Sequence, residues 1–481
     1  MKKILLVLLM LIVLLIAFLL VNTFRFQSKQ LSNVSKFDMQ VSDKVVQNLS
    51  KAIQIPTISY HDSSRMDTSV FKQFQSFLEN TYPLTHQQLQ KKVLANYTLL
   101  YQWKGANATK KPILMMAHQD VVAIEQIDEW KYPPFSGQIA EERIWGRGAL
   151  DNKASLIGIL ESTEQLLKEG FQPKQDIYFA FSHDEEVNGS GAMAIVKYLK
   201  ESGVQLDCVL DEGLLVAEGM MPGLEKPVAL VGISEKGYVT IVLTARGDGG
   251  HSSMPGKKTA IGQLSKALVA MEENPLPQRY NGPIKSLFNY VGPEMPFFQK
   301  LAFANTWLLK PVLLRELAKV KTTNALSRTT TAPTILKAGV QENVLAKEAA
   351  ATINFRIYPG ETPATVLAHT KSVVQAFDVE AKIEGHTASP APIADTATVA
   401  FRTIHRTIRE VFPESVVAPS LVLATTDSRF YVEVADNVYR FFPLKLNSEE
   451  IGTVHSNNEH IRVDNLKECV RFYYRLMKNF N

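Results

Sequence analysis

Cysteine is nearly absent, with Cys208 and Cys469 the only two in 481 residues. One pair so far apart makes no disulfide framework, and the lack of any Cys-x-x-Cys argues against a thiolate metal centre. Free core thiols are the plain reading. An excess of one charge is lacking too. Lys plus Arg total 52 against 48 Asp plus Glu, a formal net charge of +4. No basic stripe interleaved with aromatics occurs, which makes nucleic acid a poor partner. Short-period repeats and low-complexity tracts are also missing. With 46% hydrophobic and 21% charged residues the remainder is ordinary globular composition, enough for two domains.

What is present begins with an unbroken apolar run from Ile4 to Val21, preceded by Lys2 and Lys3. At 1.5 Å per residue it spans about 27 Å, close to a bilayer's hydrocarbon core. A cleaved signal peptide has a shorter apolar core and a small-x-small site. The run ends instead in Val21-Asn22-Thr23-Phe24-Arg25, so residues 1–21 fit an uncleaved signal anchor better. Lys2 and Lys3 place the body outside the cell or in a lumen, although Arg25 and Lys29 oppose that orientation. If the segment is cleaved, the protein is secreted. Asn33, Asn48, Asn96, Asn107 and Asn188 each head an Asn-x-Ser/Thr triplet, which permits glycosylation.

Residues 22–40 read as a polar stalk. From about residue 41, Val45, Val46, Leu49 and Ile53 give one apolar helical face. Short apolar runs (112–117, 177–182, 208–210) then alternate with helical stretches (154–168, 192–200). That is an α/β pattern with a mostly parallel sheet, the first part of a catalytic domain over 41–237. Two β-α-β sets follow over 238–386 and predict an inserted α+β sandwich, a lid, carrying an apolar, aromatic-rich insertion at 275–321. The catalytic domain resumes at 387 and runs to 481.

Chemistry-bearing residues fall at predicted strand ends, where open α/β sheets bind ligands. His118-Gln119-Asp120 follows Ile113–Ala117. There His118 can offer a nitrogen to a metal while Asp120 orients the ring, and a solvent-facing turn is the alternative. In Gly146-Arg147-Gly148-Ala149-Leu150-Asp151, Asp151 is open to two readings, a helix N-cap or a carboxylate bridging two metals. The strand 177–182 runs into His183-Asp184-Glu185-Glu186 before a glycine turn. So many charges at a strand's mouth repel one another unless a cation offsets them. A further strand ends in Asp211-Glu212-Gly213, and His455 lies in a polar loop near residue 455. Taken together, His118, Asp151, Glu186, Asp211 and His455 supply two imidazoles and three carboxylates, a set suited to zinc, with manganese or cobalt also accommodated.

This order resembles the dizinc exopeptidase family of aminoacylase-1, carboxypeptidase S, acetylornithine deacetylase and succinyl-diaminopimelate desuccinylase, over residues 45–481. The motifs Ala117–Val122, Thr425–Tyr431 and Asn354–Gly360 look most like those of carboxypeptidase S and the N-fatty-acyl-amino-acid synthase/hydrolase. The resemblance implies two zinc ions per subunit. Asp151 would bridge them, His118 and Glu186 would complete one site, or share the pair with Asp211 and His455. Glu185 would be the general base and Asp120 would support His118. In the lid, His251 would stabilise the oxyanion and Asn343 and Arg356 would contact substrate, while Arg429 would grip a substrate carboxylate. Physical chemistry agrees with these roles. Paired metals activate water and polarise a carbonyl, and a base beside that water must be a carboxylate that does not itself ligate. An oxyanion donor contributes on the order of 3 kcal/mol, and an arginine fork suits a carboxylate better than lysine.

The leading expectation is therefore a zinc amidohydrolase cleaving, and in reverse forming, the amide bond of N-acyl amino acids. A carboxypeptidase S-like peptidase acting on short peptides is the alternative. An inactive, membrane-displayed binding protein is the rival from another class, and an aminopeptidase-like enzyme is disfavoured by Arg429. A homodimer through the lid stays open. The insertion 275–321, with Phe297, Phe298 and Trp307, reads as a self-packed hairpin or as an apolar surface facing an acyl chain or the bilayer. If it faces the acyl chain, long acyl groups should be preferred.

Overall fold

The computed structural model describes residues 1–107 and 109–481. Helix α1 (Lys2–Arg25) is apolar and exposed from Lys2 to Phe18, while Thr23 near its end is buried. A polar segment leads to α2 (Lys44–Ile53), which buries Val45, Val46, Leu49 and Ile53 on one face. Strands β1 (Gln90–Leu94), β2 (Thr98–Trp103) and β3 (Ile113–His118) precede α3 (Lys153–Lys168). Then come β4 (Ile177–Ser182), α4 (Ser190–Glu201), β5 (Leu206–Asp211), β6 (Val216–Ala217) and β7 (Val228–Glu235).

After β7 the chain leaves the main body through Lys236 and enters β8 (Gly237–Arg246). A Cβ on Gly237 would lie 2.4 Å from the Ala388 carbonyl oxygen and 2.6 Å from the Pro390 nitrogen. Glycine is thus required where the strands entering and leaving the lid pass each other. The lid holds α5 (Ala260–Glu273), β9 (Thr330–Ala338), β10 (Glu348–Ile357), α9 (Pro363–Val374) and β11 (Val379–Ala388). Between α5 and β9 lie α6 (Gly282–Val291), α7 (Phe297–Ala304) and α8 (Thr306–Ala318). The chain closes with α10 (Val399–Val411), β12 (Val416–Val422), β13 (Ala435–Arg440), β14 (Lys445–Leu446) and α11 (Val463–Asn479).

The main sheet has ten strands in the order β1-β2-β4-β3-β5-β13-β7-β6-β14, with β12 also on β7. Its centre is parallel, since β3 pairs in parallel with β4 and β5, and β13 with β5. Strands buried on both faces need continuous apolar runs, and β3 supplies one. Ile113, Met115 and Ala117 enter the core under α3 and α11, whereas Leu114 and Met116 enter the one under α4. Both cysteines are free and buried. Cys469 packs so closely on α3 that a Cβ at Gly158 would meet its sulfur at 2.7 Å.

The lid sheet is antiparallel, in the order β9-β10-β8-β11, with α5 and α9 packed on it. Strand β8 alternates, burying Val239, Ile241, Leu243 and Ala245. Residues 275–321 interrupt the lid in sequence, and beyond Leu276, which joins the lid core, they pack elsewhere. Ile284, Leu287, Phe288 and Val291 of α6 share a core with Val228 of β7 and with Val416, Ala418 and Leu421 of β12. Phe288 stacks on Phe303 at 4.1 Å between ring centroids, tying α7 to that same core.

Candidate dinuclear metal centre

The carboxyl ends of the adjacent strands β4, β3 and β5 open on one side of the sheet, and the site lies there. His118 is the last residue of β3, its ring almost wholly buried. Its Nδ1 lies 3.0 Å from the Asp120 carbonyl oxygen and 3.4 Å from Asp120 Oδ1. That leaves Nε2 free to face the cleft. Asp120 is itself fixed, accepting from Ser59 Oγ at 2.6 Å and from the backbone N–H groups of Glu185 and Glu186 at 3.2 and 3.1 Å. One carboxylate therefore orients the imidazole and clamps the Glu-Glu turn after β4.

Asp151 stands between two groups of side chains. Its Oδ1 lies 2.8 Å from His118 Nε2, which is also 3.3 Å from Glu212 Oε1. Its Oδ2 lies 3.1 Å from His455 Nε2, and His455 is 3.1 Å from Glu186 Oε2. Two triads result, His118–Asp151–Glu212 and Asp151–Glu186–His455, each with donor atoms close enough to hold one ion. Asn152 donates to the other oxygen of Glu212 and sets its orientation.

Glu459, fully buried, builds the turn that presents Asp151. Its Oε1 accepts the Leu150 and Asp151 N–H groups at 2.7 and 3.0 Å. Its Oε2 accepts the Gly148 N–H at 3.1 Å and Arg147 Nη1 at 2.6 Å.

The electrostatics fit a cation site. Burial pushes the Glu212 carboxyl up to about 8 and the Glu186 carboxyl up to about 7, with the charge of Asp151 adding to both. Burial also drives Glu185 well above the usual carboxylate range. For Asp151 burial works the same way, but hydrogen bonds from His118 and His455 outweigh it and hold the carboxyl low. His455 rises to about 10 on its hydrogen bonds to Asp151 and Glu186. Burial disfavours charge on His118, yet Glu212 and the hydrogen bonds to Asp120 and Asp151 carry it well above its ordinary value. Such a cluster keeps its protons without metal and gives them up to a pair of dications. The oxygen and imidazole donors, with one shared carboxylate, suit zinc.

One expected ligand lies outside both triads. Asp211, the last residue of β5, turns away from His118 and accepts the Ser428 N–H at 3.1 Å. Glu212, the next residue, turns into the site. His118, Asp151, Glu186 and His455 are brought together as expected, with Glu185 beside them in the same cleft. Arg429 and Arg356 line that cleft too, a space of about 660 Å³. Arg429 is held by a bond from Nη1 to the Thr426 carbonyl at 2.8 Å and lies 4.3 Å from the Phe430 ring centroid. Behind its loop, Glu235 pairs with the buried Arg440 at 3.1 Å and accepts the Thr426 N–H. Leu215, Phe442, Leu446, Ile451 and Val454 add apolar lining to the same cleft.

Two expected residues lie outside the cleft. His251 and Asn343 meet at an exposed corner of the lid, where Ser252 N–H donates to the Asn343 carbonyl at 3.0 Å. No residue of 275–321 lines the cleft among the described residues. Glu212, Asn152 and Glu459 were missed from sequence. Glu212 stands beside the chosen Asp211, and Glu459 lies one helical turn's distance past His455 in the same loop.

The model of peptidase family M20/M25/M40 matches residues 114–479. The chain is 41% identical over 473 residues to a probable carboxypeptidase S-like 2 of Dictyostelium discoideum, covering 96% of this chain and 91% of the relative. It is 37% identical over 479 residues to the N-fatty-acyl-amino acid synthase/hydrolase PM20D1 of Xenopus tropicalis, covering 97% and 93%. In fold it is similar to an M20 family metallo-carboxypeptidase of Sulfolobus solfataricus, with a TM-score of 0.65 at 19% identity, covering 91% of this chain and 99% of that one.

Proposed function

The chain belongs to peptidase family M20/M25/M40, a metal-dependent hydrolase of amide or peptide bonds, and we propose that its substrates are N-acyl amino acids with long apolar acyl groups. The observation that carries this reading is the mixed lining of the cleft. Acidic and imidazole donors, the guanidinium groups of Arg429 and Arg356, and the apolar side chains of Leu215, Phe442, Leu446, Ile451 and Val454 all line one cavity. A substrate with a free carboxylate and an apolar acyl chain fits all three at once. The relative named as an N-fatty-acyl-amino acid synthase/hydrolase supports the same class.

His118, Asp151 and Glu212 would hold one zinc ion, and Asp151, Glu186 and His455 the other. Bound there, the two ions supply the Lewis acidity that polarises the scissile carbonyl and activates water. Glu185 takes a proton from the attacking water and delivers it to the departing amine nitrogen. Burial raises its proton affinity, as a carboxylate with both tasks requires. Arg429 holds the substrate carboxylate and so places the amide over the cluster. In reverse, the same residues condense a fatty acid with an amino acid and release water. His251 and Asn343 reach the cleft only when the lid closes or when the lid of a second copy crosses over. The exposed Ile335 and Leu336 on edge strand β9 favour such a homodimer through the lid.

Helix α1 is the membrane anchor, retained in the mature protein with the body on the outer or lumenal side. Its 24 residues have a mean hydropathy of 3.7 over the best window and none of that window is buried.

A panel of N-acyl-phenylalanines from acetyl to oleoyl, against free and blocked dipeptides, on zinc-loaded protein tests the substrate class. Arg429→Ala should raise KM for free acids and leave amide-capped analogues unchanged. Equal losses on both would make Arg429 structural. A preference for dipeptides would favour a carboxypeptidase, the reading supported by the relative from Dictyostelium discoideum.

A further inference from the structure

The end of α1 is fastened to the body by a buried polar knot. Asn305, at the junction of α7 and α8, is fully buried, and Thr23 is nearly so. The Asn305 Nδ2 donates to the Leu19 carbonyl at 3.1 Å and to Thr23 Oγ1 at 3.3 Å, and its Oδ1 accepts from Asn22 Nδ2 at 3.0 Å. Just beyond, Phe26 packs so tightly on Gly292 that a Cβ there would meet its ring at 2.8 Å. Removing α1 would leave the Asn305 side chain only its bond to the Leu301 carbonyl at 2.9 Å. The knot fixes the hairpin α7–α8 against the anchor.

The hairpin has two unlike faces. Phe303 and Leu313 face inward, in the core beneath α6. Phe297, Phe298, Trp307, Leu308 and Val312 face outward, Phe298 at 81% exposure and Trp307 at 58%. The Trp307 ring lies edge-on to Phe18 of α1 at 5.6 Å. Phe18 precedes the end of the apolar run, Val21, by three residues, so Trp307 sits about 5 Å inside the hydrocarbon boundary when α1 spans a bilayer. Tryptophan concentrates at the membrane–water interface that borders this depth. Over 297–321 the basic residues are Lys300, Lys310, Arg315, Lys319 and Lys321, against Glu316 alone. Lysine and arginine reach from an apolar face back to phosphate.

We propose that the α7–α8 hairpin is a collar embedded in the phospholipid interface beside the anchor. Phe297, Phe298, Trp307, Leu308 and Val312 enter the acyl region of the same leaflet. This rests on reading α1 as a retained membrane anchor, and it adds a second contact that fixes how the body stands on the bilayer. The exposed apolar face is continuous with the anchor's own, which is why lipid rather than another protein covers it.

The test uses the full chain reconstituted in phosphatidylcholine vesicles whose lipids carry bromine either near the head group or near the chain ends. Of the four tryptophans, Trp103 and Trp145 are buried in the body and Trp130 lies under Arg147, so Trp307 is the one positioned to meet lipid. Shallow bromine should quench the emission more than deep bromine, and Trp307→Phe should abolish the quenching. Phe297→Ser with Phe298→Ser should weaken it. A chain that floats with the vesicles after a carbonate wash but shows no Trp307 quenching overturns the collar and leaves the anchor standing. A chain that does not float overturns both.

Discussion

Glu459 receives the backbone N–H of Asp151 at 3.0 Å while its other oxygen pairs with the buried Arg147 at 2.6 Å. A carboxylate with no place among the metal-binding donors thus dictates where the shared donor stands. Glu459→Gln should weaken zinc affinity about 10–100-fold, as loss of a supporting partner does. It should also cost about 3 kcal/mol of stability, because Arg147 is left charged and buried without its counter-ion. Zinc titration against a competing chelator, alongside thermal unfolding of the metal-free chain, separates the two effects. Unchanged affinity in a folded variant would mean the turn holds itself.

Adjacent acidic residues divide their work at two places, and substitutions can read out the division. Glu185→Gln should keep two zinc ions per chain and lose about a thousandfold in kcat, the scale of a lost general base. Glu186→Gln and Glu212→Gln should each lose metal. Asp211→Asn should retain both ions, since its carboxylate faces Ser428. Elemental analysis of each purified variant decides, and loss of zinc from Asp211→Asn with retention in Glu212→Gln would restore the sequence-based ligand.

That second pair shows where sequence stops being informative. The strand mouths were legible, because β3 and β4 are continuous apolar runs ending in His118 and in the Glu185–Glu186 pair. At the end of β5, however, consecutive side chains point to opposite sides. Whether Asp211 or Glu212 faces the site depends on the strand's exact end, which composition does not reveal. The position of 275–321 was hidden for another reason. It lies between lid elements in sequence, but its apolar face matches β12, a strand more than ninety residues further on. Glu459 looked like one more polar loop residue, since only the folded turn brings three N–H groups to it.

Metal affinity should rise with pH. In the metal-free chain His455 titrates at about 10 and Glu212 at about 8, so both hold protons at neutral pH. His118 is raised as well. Each must release its proton to become a ligand, so binding expels protons and strengthens as pH climbs. The gain from Glu212 levels off once pH passes about 8, while that from His455 continues toward about 10. Calorimetric titration with zinc in buffers of different ionisation enthalpy measures the release directly. Binding without proton release, or weaker at pH 8 than at pH 6, would contradict the assignment of these ligands.

Acyl-chain preference should depend on the cleft's apolar lining rather than on the aromatic insertion. Leu215 and Ile451 are partly exposed and line the cleft beside the metal-binding residues, so a chain leaving the scissile carbonyl meets them. Phe297 and Phe298 lie on α7, which packs beside the anchor and contributes nothing to that cavity. Each buried methylene adds roughly 0.8 kcal/mol, so kcat/KM should climb with acyl length until that lining is covered. Leu215→Ser with Ile451→Ser should flatten the climb and leave acetyl substrates nearly unchanged. Phe297→Ser with Phe298→Ser should keep the full climb when substrate is presented below its micellar concentration and without vesicles. If the insertion pair flattens it under those conditions instead, the hairpin reaches the substrate and the acyl site extends beyond the cleft seen here.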